Sequence, residues 1–144
     1  MNVHRFENWP SILHSYLESR RATPFEYGAH DCCLFAADAI FAITGIDPAA
    51  SFRNHYYSAF TATRRMREVC VSGSLNQIAV ITFSRCGFPV IHPYFAGRGD
   101  IMLIRQAPRA DALAVVALDG WPVIAADTGW RASDRQRAVT AWKI

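Results

Sequence analysis

Phe25-Glu-Tyr-Gly-Ala-His-Asp-Cys-Cys-Leu-Phe-Ala-Ala-Asp-Ala-Ile-Phe-Ala-Ile-Thr-Gly45 holds a loop, a helix cap, a helix and a stop signal in one run. An aromatic-glycine loop leads to Asp31, whose carboxylate can accept from the open N–H groups of a first helical turn. Gly45 closes the run where a left-handed residue ends a helix. From Cys32 to Thr44 the segment carries a single charge, Asp38. A helix on the surface would show a polar stripe, so this one is predicted to be central and buried. Cys32 then falls in its first turn, where unpaired amides and the helix dipole would stabilise a thiolate.

Outward from this run the chain divides into a helical part and a sheet part. Trp9, Ile12, Leu13, Tyr16 and Leu17 recur at helical spacing and predict an amphipathic helix from about Asn8 to Arg20. Asp47-Pro48 and the aromatic Phe52–Tyr57 stretch form a loop into a third helix over Tyr57–Val71, ended by Gly73. A fourth follows from Ser74 to Arg85. Beyond Gly87 come an extended piece over Pro89–His92 and β-like runs at Ile101–Ile104, Ala112–Leu118, Trp121–Ala126 and Ala138–Ile144. Asp119-Gly120 predicts a two-residue hairpin turn. Helices first (about 8–86) and an antiparallel sheet second (about 89–144) make an α+β fold, expected as a single domain over 1–144. With 144 residues, 51% hydrophobic and 19% charged, the chain can bury one substantial core.

The net charge of +3 comes from fourteen arginines and one lysine spread along the chain, against twelve acids. The single dense cluster, Arg64, Arg65 and Arg67, reads as a solvated helix face, and no nucleic-acid partner is expected. No apolar run approaches the roughly 18 residues of a membrane span, and no signal pattern opens the chain. It is expected to be made in the cytoplasm, without membrane insertion. Cys32, Cys33, Cys70 and Cys86 show no paired spacing, so neither a disulfide framework nor a metal centre is expected, and no cofactor. Cys70 and Cys86 read as buried thiols acting as small hydrophobes. Trp121, Trp130, Trp142, Tyr56 and Tyr57 could belong to the core or anchor a partner.

Two motifs together carry a resemblance. The Tyr27-Gly28-Ala-His-Asp-Cys32 entry to a helix, followed by Arg98-Gly99-Asp100 opening a strand and then a hairpin, resembles the NlpC-type branch of the papain-like cysteine peptidases. Those enzymes cut the stem peptides of bacterial peptidoglycan. The longer stretch Pro24–Tyr56, with Thr44-Gly45-Ile-Asp47-Pro48-Ala-Ala and Phe52-Arg53, is more similar to small phage and prophage tail-module proteins of related fold. The resemblance implies a papain-like NlpC-type fold with Cys32 at the start of the central helix. It implies tail hub and tip proteins as partners, peptidoglycan as a further one, and a final place in the virion tail.

Carried over position by position, the resemblance makes Cys32 the nucleophile, Asp31 the helix cap, and Tyr27 and Gly28 parts of the loop beside the cleft. It puts a histidine at the start of the strand after Gly-Asp. The matching run here is Ala112-Leu-Ala-Val-Val-Ala-Leu-Asp119-Gly120, with alanine in that place. The polar residue that orients the histidine falls near Ala125, which is also apolar. Asp127 is close by, but a carboxylate beside sulfur would raise the thiol pKa. Asp100 reads as a turn or cap before its strand.

His92, before Pro93, and His30, one residue before the cap, are the candidates for a substitute base. His55 sits in the aromatic loop, and His4 and His14 flank the first helix. Two principal readings follow. In the first, the chain is a tail-tip structural or adaptor component whose papain-like fold has lost its catalytic histidine. In the second, it is an active cysteine endopeptidase or amidase that cleaves peptidoglycan stem peptides during genome entry. A thiol-based metal or redox site at Cys32 and Cys33 is a third.

Overall fold

The computed structural model describes residues 4–106 and 111–144. Four helices come first: α1 (Trp9–Ser19), α2 (Leu34–Thr44), α3 (Ala59–Val69) and α4 (Leu75–Arg85). Six strands follow: β1 (Val90–Ile91), β2 (Ile101–Ile104), β3 (Ala112–Val116), β4 (Pro122–Ala125), β5 (Trp130–Ala132) and β6 (Ala138–Trp142). They form one antiparallel sheet in the order β1-β6-β2-β3-β4-β5. The architecture is α+β. No helix of the described residues is long and apolar enough to cross a membrane.

Local chemistry explains where the helices start and stop. Ser58 caps α3 by accepting from the Thr61 N–H, while the Thr61 side chain reaches back to the Ser58 N–H, a reciprocal capping box. Ser74 accepts from the Gln77 N–H and opens α4. Gly45 ends α2 at φ +77°, its N–H on the Phe41 carbonyl. Eight of the eleven α2 residues are buried, and Asp38, held by Arg20 at 3.0 Å and Arg53 at 2.6 Å, is its only charge. This is the expected central helix. Its Phe35, Ile40 and Ile43 pack with Leu13 and Leu17 of α1, Phe83 of α4, and the sheet side chains Leu103, Val115 and Trp142. The alternate residues Met102, Ile104, Ala112, Ala114, Val116 and Ile124 form a second apolar layer on the other face.

Several expectations are corrected here. The hairpin between β3 and β4 has a three-residue loop: the Ala117 N–H bonds the Trp121 carbonyl and the Gly120 N–H turns back to Ala117. Gly120 takes φ +89°, so the loop is a type I turn closed by a left-handed glycine instead of a two-residue turn. β5 is a strand the β-like runs did not show. It is three residues long and formed because Gly129, at φ +68°, folds Trp130 back against Ala125. A Cβ on Gly129 would stand 2.1 Å from the Arg21 carbonyl, so the chain needs glycine there twice over. Cys70 is not a buried thiol. It ends α3, half-exposed, with its sulfur 3.3 Å from the Ser72 hydroxyl.

Asp100 does more than turn the chain into β2. Fully buried, it accepts from the Arg5 guanidinium at 2.6 Å, from the Gly97 N–H at 2.9 Å and from the Ile144 N–H at 3.1 Å, with the Lys143 ammonium 3.4 Å away. It ties the segment before α1 and the end of β6 to the start of β2. Asp100→Ala is expected to lower stability by about 3–5 kcal/mol in urea unfolding, because it removes the carboxylate partner of a largely buried guanidinium and the acceptor of the Gly97 and Ile144 amides.

Candidate functional site

The site begins with a buried carboxylate. Asp31 is 2% exposed and meets four donors: its Oδ1 accepts from the Cys33 and Leu34 N–H groups at 3.0 and 2.8 Å. Its Oδ2 accepts from the Gly28 N–H at 2.9 Å and the Tyr56 hydroxyl at 2.6 Å. The Asp31 carbonyl accepts from the Phe35 N–H, so capping begins at Asp31 although the regular helix starts at Leu34. Cys32 and Cys33 form the turn between. The open amides of the tip thus face Asp31, and the positive end of the dipole already has its counter-charge. The tip amides of Cys33 and Leu34 are thus bonded to the Asp31 carboxylate and not to the Cys32 sulfur.

Gly28 is where the loop and the Tyr56 segment touch. At φ +88°, a Cβ there would lie 2.6 Å from the Tyr56 carbonyl oxygen, so Gly28 permits a close approach and does not line the cleft. Asp31 and burial together push the Tyr56 hydroxyl pKa far up, burial being the larger cause. The two adjacent sulfurs are 3.8 Å apart. Contact with Cys32, then burial, then electrostatic coupling to Cys32 and Asp31 hold the Cys33 thiol well above its ordinary value. Cys33 faces an apolar cavity of about 70 Å³ between α2, α3, α4 and the 48–56 loop.

Cys32 faces the other way, into an open cleft of about 610 Å³ whose lining includes Phe25, Tyr27, Ala112, Ala125, Asp127 and Arg131. The positions that the resemblance gives to the histidine and its orienting partner are therefore in the sulfur's cleft, as alanines. The two substitute histidines are elsewhere. His30 is 1% exposed, with Nε2 at 2.8 Å from the Gly129 carbonyl and its ring edge-on to Phe35. It fastens the 23–30 loop to the β4–β5 turn. His92 is exposed, accepts the Tyr94 N–H on Nδ1, and lines a separate concavity. His55, His4 and His14 are exposed. Among the described residues no imidazole hydrogen-bonds to the Cys32 sulfur, and no group of three or more His, Cys, Asp or Glu converges to hold a metal ion.

The sequence reading missed Tyr56 as the fourth partner of Asp31, twenty-five residues away. The signal was an aromatic hydroxyl in a loop otherwise rich in exposed rings. A family model described as "Domain of unknown function (DUF6950)" matches residues 4–144, and the chain belongs to that family. No curated protein matches it.

Tyr56→Phe leaves one lone pair of a buried carboxylate unsatisfied, and should cost about 1.5–3 kcal/mol at neutral pH. The wild-type hydroxyl has its pKa raised on folding, so its contribution is complete below the ordinary value of 10.0 and is lost as pH rises above it. Stability against urea should therefore fall on the alkaline side in the wild type, and more shallowly in the variant.

Proposed function

We propose that this chain is a papain-like domain that has kept the cleft and lost the reaction, and that it serves as a structural or adaptor component of a phage or prophage tail tip. The observation that carries the loss of reaction is the pair of alanines, Ala112 and Ala125, in the cleft that Cys32 lines. Without an imidazole the sulfur has no general base for attack and no proton donor for the leaving amine, each worth about 10²–10⁴-fold. Asp31 removes the alternative, because it occupies the helix tip that would otherwise polarise the thiol. What supports the papain-like reading is the order of parts: a capped, buried helix preceded by Cys32, set against the strand that follows Gly99-Asp100. The tail assignment rests on the resemblance of the Pro24–Tyr56 stretch.

One observation favours the active reading. Cys32 still opens onto a cleft large enough for an extended peptide, with Asp127 and Arg131 in its wall. In that reading Cys32 attacks a stem-peptide carbonyl, and the base comes from outside the residues that line the cleft.

Purified protein incubated with murein sacculi separates the two. The adaptor reading expects no released peptides, and tails assembled with Cys32→Ala should remain infectious. Peptide release that disappears with Cys32→Ala would establish the enzyme instead. A gain-of-function test follows from the same geometry. Ala112→His with Ala125→Asn should raise the rate of Cys32 alkylation by iodoacetamide about tenfold or more at neutral pH, measured with Cys70 replaced by serine.

A further inference from the structure

The 92–95 turn, the tip of the β3–β4 hairpin and the 134–139 segment surround an open concavity of about 810 Å³, which shares no residue with the Cys32 cleft. That volume lies within the roughly 300–1,000 Å³ of small-molecule sites. Two aromatic rings wall it, Tyr94 at 79% and Trp121 at 55% exposure, and no core needs either. Arg135 also lines it, its Nη1 donating to the Gly120 carbonyl at 3.3 Å and its Nη2 to the carbonyls of Pro93 at 3.2 Å and Ala96.

The polar rim holds both open acceptors and donors. Asp119 Oδ1 takes the Trp121 N–H and Asp134 Oδ1 takes the Gln136 N–H, both within the chain's own turns. Each Oδ2 has no partner among the described residues. His92 accepts the Tyr94 N–H on Nδ1, so its neutral imidazole carries the proton on Nε2 and offers a donor at the rim.

This combination excludes most ligand classes. Two carboxylates repel an anion, and the Arg135 guanidinium offsets one of them toward a cation. A purely apolar ligand would desolvate both carboxylates without replacing their hydrogen bonds. A proline-rich strand suits exposed aromatic rings, but it has few N–H groups to offer the two open carboxylate oxygens. A neutral polyol with apolar C–H faces and many hydroxyl donors satisfies every part.

We propose that this concavity binds a neutral oligosaccharide, stacking sugar-ring faces on Tyr94 and Trp121 and directing hydroxyls to the open oxygens of Asp119 and Asp134. The site is independent of the fate of Cys32 and of the tail assignment. Titration of the protein with chitotetraose, cellotetraose and maltotetraose, followed at the Trp121 indole N–H by NMR, tests it. At least one glycan should shift that signal saturably, with a Kd of about 1 mM or tighter. Trp121→Ala (followed by calorimetry) and Tyr94→Ala should each weaken binding about tenfold, and Asp134→Asn, which keeps the turn's acceptor, severalfold. Tyr57→Ala, an exposed ring elsewhere, should leave binding unchanged. Unaltered Trp130 and Trp142 indole signals report that each variant is folded. No shift with any of the three up to about 10 mM would overturn the proposal, as would binding that survives both aromatic truncations, or a polyproline peptide occupying the site while the glycans do not.

Discussion

A single buried carboxylate organises the half of the molecule that holds the sulfur. An isolated charge inside a protein is too costly to persist, and Asp31 persists because three separate segments each bring it donors. The helix contributes two amides, the preceding loop one, and the segment after Asp47 a hydroxyl. Those segments are thereby placed against one another: the loop stands over the cleft, α2 enters the core at a fixed angle, and Tyr56 closes the side away from the sheet. Arg53 reinforces the same arrangement by holding Asp38 of α2 and Asp47 of the loop together. Burial of α2 against the sheet then follows from its composition, since eleven residues with one charge have no solvent face to offer.

In the proposed reading, the same carboxylate lets the scaffold outlive chemistry at Cys32. A cysteine at a helix tip is reactive when the tip is electrostatically open and an imidazole stands by. Here the tip is filled from within, and the cleft wall where an imidazole could stand is made of small apolar side chains that continue the layer of Ala112, Ala114 and Ile124. Both features belong to the packing. The cleft therefore keeps its shape through interactions that have nothing to do with a nucleophile, and shape alone is enough for the adaptor role we propose.

Much of this was legible in the residues because it is local. The cap at Asp31, the stop at Gly45, the start of the fourth helix at Ser74 and the strands around Asp119-Gly120 all follow from backbone preferences within a few positions. What was not legible depends on distance in the chain. Tyr56 as a partner of Asp31 needs the loop to fold back over twenty-five residues. β5 has three residues and little β-propensity of its own, and exists because Gly129 can sit against the Arg21 carbonyl. His30 read as a neighbour of Cys32 in sequence, yet the turn at Glu26–His30 sends its ring to Gly129. The alanines opposite the sulfur could be placed only through a resemblance, because no periodicity marks a missing side chain.

The strand order has a consequence in time. β6 lies between β1 and β2, so β1 joins the rest of the sheet only through residues 138–142. During synthesis the helices and the β2–β3–β4 meander can form as they emerge, but the sheet stays split, with the edges of β1 and β2 uncovered, until that stretch has left the ribosome. Asp100 waits just as long for the Ile144 amide. A nascent chain of this protein therefore carries two adhesive strand edges from the emergence of β2 until β6 fills the gap between them.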